Sequence, residues 1–256
     1  MNLLNDLYHN SCKPKYNDYK KLSDNILLID NFFENFEEAR NFFINRDTYK
    51  CNSYQSNVKP GYESLFPSWI GKSLLEKFVY DNKICIDYFS QDLYDTKCNF
   101  LFRDNASAIW SAAHSYTIPH VDGIKPESKI CLINLNKISI FTDFYSFEDN
   151  SSCDYKSYEK WNNYMISVNK KLLKNNTHIT FKDLEEFLDN SIDTSKIKLT
   201  HTIEYSPNQA IIYPANLFHC SNMSINFTSE FPRISLRISF NEQTNKNEEE
   251  KKWKYV

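Results

Sequence analysis

The sequence predicts an α+β chain whose second half is rich in strands. Three patterns predict it. Arg233 to Phe240 alternates strictly: Arg233, Ser235, Arg237 and Ser239 fall on one face, and Ile234, Leu236, Ile238 and Phe240 on the other. A repeat of two is the side-chain period of a strand. Ile130-Cys131-Leu132-Ile133-Asn134-Leu135-Asn136 is an apolar run of strand length. Asn35 to Phe43 instead spaces its apolar residues at helical intervals, with Glu37 and Glu38 in the first turn, where the helix dipole favours acids.

Composition narrows the function classes. The chain has 256 residues, 41% hydrophobic and 16% aromatic, which suffices for a packed core. It has only three glycines and neither a G-x-G-x-x-G nor a Walker A pattern, so a glycine-rich phosphate loop is excluded. A net charge of −3 argues against a general nucleic-acid binder. The seven cysteines (Cys12, Cys51, Cys85, Cys98, Cys131, Cys153 and Cys220) are odd in number, scattered and without a C-x-x-C pair. Free thiols in a reducing compartment are expected, and a zinc site built from them is not. The first residues lack the charged and apolar regions of a signal peptide, and no apolar run approaches the roughly 20 residues that span a bilayer. A cytoplasmic chain with no membrane contact is expected.

In chain order, residues 1–24 are polar and tyrosine-rich, and a loosely packed lead-in is expected. Asn25 to Phe33 reads as a short buried strand running into a turn, before the helix at 35–43. Residues 47–68 are expected to be irregular, with Pro60-Gly61 and Phe66-Pro67 as turn signals. Ser68 to Phe78 reads as a helix, and Ile84 to Asp95 as either strand or helix. Cys98 to Phe102 and Ala106 to Ala113 read as strands. His114 follows, expected as a hydrogen-bonded structural histidine. Gly123 to Ser128 turns, and strands follow over 130–136 and 139–147. A polar stretch over 148–200 contains expected helices at Lys156 to Leu173 and Thr180 to Leu188, the second capped by Thr180. His201 to Tyr205 and Ala210 to Tyr213 are strands around a Ser206-Pro207-Asn208-Gln209 turn. Residues 241–256 form a charged tail in which Trp253 and Tyr255 are candidates to dock.

The chemistry-bearing stretch is Ile118-Pro119-His120-Val121-Asp122. In extended chain His120 and Asp122 project to one side. A third ligand is available at His219, at the end of the apolar run Ala210 to Phe218. Two histidines and one carboxylate with open positions form the facial triad of non-haem Fe(II) oxygenases. If His219 faces the metal, Cys220 points away from it. Arg233 lies fourteen residues beyond His219 and opens the last strand. Its planar fork suits a carboxylate.

H-x-D, a distant histidine, then Arg-x-Ser: this order resembles the 2-oxoglutarate/Fe(II)-dependent dioxygenases, nearest to their prolyl-hydroxylase-like branch and to bacterial and phage members of unknown function. The resemblance is most specific over about residues 114–147 and 201–240. Within it, Thr142-Asp143-Phe144-Tyr145 is similar to the family's G-G-T-x-F-Y strand, with both glycines missing. The resemblance implies a double-stranded β-helix, a jelly roll of two antiparallel sheets with flanking N-terminal helices. It implies one domain over 1–256: supporting elements at 1–100, a core at 101–147 and 201–240, a helical insertion at 148–200, and the tail. It further implies Fe(II) on His120, Asp122 and His219, and 2-oxoglutarate with its far carboxylate on Arg233 and Ser235. Arg237 starts a second R-x-S on the same face and is the alternate clamp. The implied reaction is hydroxylation of a small molecule or peptide with release of succinate and CO2. The alternatives are another metal-dependent cupin-type enzyme, which has no need of a carboxylate clamp at Arg233, and a non-catalytic jelly-roll binding module.

Overall fold

The structure is a computed structural model that describes residues 8–16, 19–45, 49–50, 61–81, 95–101, 119–124, 128–175, 193, 195–222, 224–228 and 230–241. In chain order the elements are β1 (Tyr19–Ser23), β2 (Ile26–Ile29), α1 (Phe36–Ile44), β3 (Tyr49–Lys50), β4 (Gly61–Phe66), α2 (Ser68–Asp81) and β5 (Asp95–Leu101). There follow β6 (Ser128–Asn134), β7 (Ile140–Phe147), α3 (Tyr155–Asn175), β8 (Ile197–Tyr205), β9 (Ala210–Pro214), β10 (Phe218–Asn222) and β11 (Arg233–Asn241). Eight strands form one sheet in the order β1-β2-β9-β6-β11-β5-β4-β3, and three form another in the order β10-β7-β8. Every strand pair is antiparallel.

From β6 onward the chain passes back and forth between the sheets. β6 lies in the large sheet, β7 and β8 in the small one, β9 in the large, β10 in the small and β11 in the large. This is the double-stranded β-helix that the resemblance implies. The sheets are close enough to share an apolar cluster, including Leu132, Ile211 and Tyr213 from one and Ile140, Phe144 and Tyr205 from the other.

Side-chain parity divides the core. On β11, Ile234, Leu236, Ile238 and Phe240 join a cluster with Phe43 of α1 and Ile70, Leu74 and Leu75 of α2. On β6, Cys131 and Ile133 join that outer cluster, while Ile130 and Leu132 face the space between the sheets. Being covered on both faces is why β6 reads as an unbroken apolar run. Asn35 caps α1 by accepting from the backbone N–H of Glu38 at 3.4 Å.

Three local expectations are corrected. The lead-in is not loosely packed: Tyr8, Cys12 and Tyr16 are buried in the main cluster. The Tyr16 hydroxyl donates to Leu74 O at 2.8 Å and accepts from Phe78 N at 3.1 Å, which ties this segment to α2. Part of the stretch expected to be irregular is strand: Tyr49–Lys50 is β3 and Gly61–Phe66 is β4, paired along β5 from Gly61↔Leu101 to Phe66↔Thr96. Pro60-Gly61 and Phe66-Pro67 therefore bound a strand. The insertion also ends early, because β8 begins at Ile197. Lys198, Leu199, Thr200, His201 and Thr202 are exposed on this edge strand, so it reads as polar sequence. The helix expected at 156–173 is α3, and its Trp161 is buried with Phe147, Cys153, Ile197 and Phe218 on the outer side of the small sheet.

The described cysteines, Cys12, Cys98, Cys131, Cys153 and Cys220, are buried and in no disulfide. Expectations for 84–94, 106–113, His114, the helix at 180–188, Cys51, Cys85, Trp253 and Tyr255 lie outside the described residues. No helix among the described residues is long and apolar enough to cross a membrane.

A buried asparagine pair joins three strands near the cavity between the sheets. Asn134 Nδ2 donates to Ile138 O at 2.9 Å and to Tyr205 O at 3.0 Å, and Asn134 Oδ1 accepts from the Asn136 backbone N–H at 2.7 Å. Asn136 Nδ2 in turn donates to Ile234 O at 2.8 Å, and Ile234 N donates to Asn136 Oδ1 at 3.2 Å. Asn134→Leu strips partners from two carbonyls, the Asn136 backbone N–H and the Asn136 side-chain amide, which also donates to Asn134 Oδ1 at 3.1 Å. At about 1–3 kcal/mol for each buried group left unsatisfied, urea unfolding is expected to report a loss of about 3 kcal/mol or more. A loss near zero would show that these bonds do not hold the strands together.

Candidate metal centre and anion pocket

The site forms where residues 119–122 run beside β10. His120 N donates to His219 O at 2.9 Å, and His219 N returns a bond to His120 O at 2.9 Å. Asp122 is seated by its own backbone, whose N–H donates to Ala215 O at 2.9 Å. Ala215 N is held in turn by Ser128 O at 2.8 Å. The turn between β9 and β10 thus places Asp122, while β10 itself places His219.

These backbone bonds bring the side chains of His120, Asp122 and His219 together, with their candidate ligand atoms all within 4.8 Å of one another. Asp122 Oδ2 lies 3.3 Å from His219 Nε2, and Asp122 Oδ1 lies 4.0 Å from His120 Nε2. His219 Nδ1 is 2.9 Å from Leu217 O, a contact that turns Nε2 toward Asp122. Cys220 faces the opposite way, with its thiol donating to the Tyr145 hydroxyl at 3.6 Å. Burial would raise the Asp122 carboxyl, but the Arg237 guanidinium, His219 and His120 together hold it well below the usual carboxylate range. Asp122 is therefore an anion at neutral pH, as a ligand must be. Two imidazoles and one ionised carboxylate are a donor set that fits Fe(II).

β11 contributes the opposite wall. Arg233, Ser235 and Arg237 line the same cavity as the three candidate ligands, together with Asn99, Leu101, Leu132, Thr142, Tyr213 and Ser221; its volume is about 30 Å³. Arg233 is 1% exposed. Its Nη2 donates to the Tyr205 hydroxyl at 3.0 Å, Phe141 O at 3.2 Å and Thr142 Oγ1 at 3.3 Å, while its Nε is buried without an acceptor. Among the described residues, no carboxylate lies within ion-pair distance of Arg233. Arg237 differs: its Nη2 is 3.1 Å from Asp122 Oδ1.

Sequence reasoning missed the neutral groups of this pocket. Thr142 and Tyr205 bond to each other at 3.2 Å and both accept from Arg233. Tyr213 is 1% exposed, packs edge-on against His219 with ring centroids 4.8 Å apart, and keeps its hydroxyl buried with no hydrogen-bond partner. Burial pushes that phenol well above its ordinary value, and the Asp122 charge pushes it further, so it is a neutral donor. Thr142 was within reach of inspection, as the threonine of the T-x-F-Y stretch. Tyr205, at the end of a polar edge strand, and Tyr213, on an apolar one, carried no signal beyond their parity.

Residues 11–241 match the profile of a family described as "Family of unknown function (DUF6445)". No curated protein matches the chain. Among solved structures it is similar to the non-heme alpha ketoglutarate dependent epimerase SnoN from nogalamycin biosynthesis, at 10% identity over 86% of this chain and 79% of that one, with a TM-score of 0.42. HygX from Streptomyces hygroscopicus, with nickel, 2-oxoglutarate and hygromycin B bound, is similar at 8% identity over 86% and 82%, with a TM-score of 0.43. EvdO2 from Micromonospora carbonacea var. aurantiaca is similar at 10% identity over 88% and 93%, with a TM-score of 0.41. Likeness this distant carries no weight about the chemistry of this chain.

The unpartnered Tyr213 hydroxyl gives a test of the cavity. A buried hydroxyl without a partner costs about 1–3 kcal/mol. Tyr213→Phe is therefore expected to unfold at higher denaturant than the wild type, by about 1 kcal/mol, in the absence of any ligand. A lower unfolding midpoint would mean that the hydroxyl already has a partner.

Proposed function

The chain belongs to DUF6445, a family of unknown function, and we propose that it is an Fe(II)/2-oxoglutarate-dependent oxygenase that hydroxylates a small-molecule or peptide substrate. One observation carries this: a single cavity is lined both by His120, Asp122 and His219 and by a fully buried arginine with no described carboxylate partner. Burying a cation without an anion is costly. A site that keeps Arg233 there is suited to an anionic ligand. A metal enzyme without an acidic cosubstrate has no use for such a group, which counts against the cupin-type alternative.

In this proposal His120, Asp122 and His219 hold the metal. Arg233 receives the far carboxylate of 2-oxoglutarate through its fork, with Ser235 beside it on the same strand face. The Tyr205 and Thr142 oxygens keep the guanidinium in place by accepting from Nη2. Tyr213 supplies a neutral O–H donor to whatever anion enters. Leu101 and Leu132 contribute apolar surface to the wall, which helps exclude water and strengthens the charged contacts. Bound iron supplies the activation of dioxygen, with 2-oxoglutarate as the source of two electrons and succinate and CO2 as its products.

Two measurements test this. Anaerobic Fe(II) or Mn(II) titration of the wild type is expected to give one bound ion per chain, and His120→Ala or Asp122→Ala is expected to abolish binding. Unchanged stoichiometry in either variant would remove those residues from the metal. The second is 2-oxoglutarate titration of the Fe(II) protein without oxygen. Arg233→Leu leaves the diacid carboxylate buried without its cation, at a cost on the order of 3–5 kcal/mol, or roughly a hundredfold or more in affinity. The same variant is expected to unfold no more easily than the wild type when no diacid is present, because it removes a buried, uncompensated charge. Full retention of 2-oxoglutarate affinity would remove Arg233 as the carboxylate clamp.

A further inference from the structure

We propose that Arg237 is the positioning residue of the metal carboxylate, and that it takes no part in holding the diacid. This inference rests on the metal centre proposed above. It assigns different tasks to two arginines that share one face of one strand.

The geometry divides the two oxygens of Asp122. Oδ1 lies 3.1 Å from Arg237 Nη2, and Oδ2 lies 3.3 Å from His219 Nε2. The side chains of Arg237 and Asp122 are 14% and 10% exposed, so this pair is largely out of water. A charge-assisted bond in such a place is short, directional and strong. A carboxylate that gives one oxygen to a metal has a second, equivalent oxygen and a broad terminal torsion. Unless something grips that second oxygen, the group rotates between arrangements that bind and arrangements that do not. The Asp122 backbone is fixed to Ala215, but that bond does not set the side-chain torsion. Arg237 sets it, and it does so from β11, a strand bonded on both sides, to β5 and β6.

The same pairing argues against Arg237 as the clamp. Its charge is already opposed by Asp122, whereas Arg233 meets only neutral oxygens among the described residues. The two residues are four positions apart, roughly 13 Å along a strand. A diacid anchored at the metal reaches the uncompensated cation at one end and finds the compensated one beside the ion itself. Two effects of Arg237 on the metal oppose each other. Its charge draws electron density from the carboxylate, and its grip preorganises the ligand. Loss of groups that orient metal ligands typically costs about 10–100-fold in affinity, so orientation is expected to win.

The test separates metal binding from diacid binding. Co(II) is titrated into wild type, Arg237→Gln, Arg237→Lys and Arg233→Gln without 2-oxoglutarate, and the cobalt visible spectrum is followed. Arg237→Gln is expected to weaken Co(II) binding by about 10–100-fold, and its spectrum to change shape as the carboxylate loses its fixed orientation. Arg237→Lys is expected to recover part of the loss, because it restores the charge but not the fork. Arg233→Gln is expected to bind Co(II) as the wild type does. Next, 2-oxoglutarate is titrated at saturating Co(II): Arg237→Gln retains affinity and Arg233→Gln loses it. Wild-type Co(II) affinity in Arg237→Gln, or loss of 2-oxoglutarate with metal binding intact, overturns the proposal. Where Arg237→Gln fails to fold, Arg237→Lys and a metal-free double-mutant cycle with Asp122→Asn stand in. Zero coupling between positions 122 and 237 overturns the proposal equally. A wild type that binds no Co(II) removes the metal centre itself, a failure visible before any Arg237 variant is compared.

Discussion

The constraint on which this molecule turns is the burial of β11 on both faces. It is bonded to β5 on one side and β6 on the other. One face gives Ile234, Leu236, Ile238 and Phe240 to the core beneath the helices. The other puts two guanidiniums between the sheets. Apolar residues solve the first burial by packing. The second has no packing solution, because a cation taken out of water needs an anion or a full set of acceptors. Arg237 has Asp122. Arg233 has three neutral oxygens and one N–H left over.

Around that constraint the candidate metal ligands are held by short backbone contacts rather than by a rigid element of their own. Among the described residues His120 lies in an isolated bridge, where its reciprocal bonds with His219 give it strand geometry for one residue. Asp122 is bonded to the turn that leads into β10. His120 and His219 are thus tied to β10 of the small sheet, and Asp122 to the turn between β9 and β10, which Ser128 of β6 also holds. The arginines belong to the large sheet. Asp122–Arg237 is a charged bond between that turn and β11.

The sequence by itself determined what depends on local parity. The two-residue spacing of His120 and Asp122, the alternation of Arg233 to Phe240, the apolar run at 130–136 and the acidic first turn of α1 were all legible, because side-chain direction in a strand or helix follows from backbone period alone. The nature of each donor was legible too, since imidazole, carboxylate and guanidinium state their chemistry wherever they sit. Tertiary structure decided what depends on which distant surfaces meet. It buried Tyr8 and Tyr16 against α2, although their neighbours are polar. It made Gly61–Phe66 a strand by supplying β5 as a partner, and it made the polar stretch after Ile197 an edge strand by exposing it. It brought Thr142 and Tyr213 into a cavity with arginine and histidine, and set Tyr205 against Arg233, when nothing in their local spacing marks them. Parity placed Arg233 and Arg237 on one face and could not distinguish them. Only the position of Asp122, seated by Ala215 in the turn after β9, gave one arginine a counter-ion and left the other without one among the described residues.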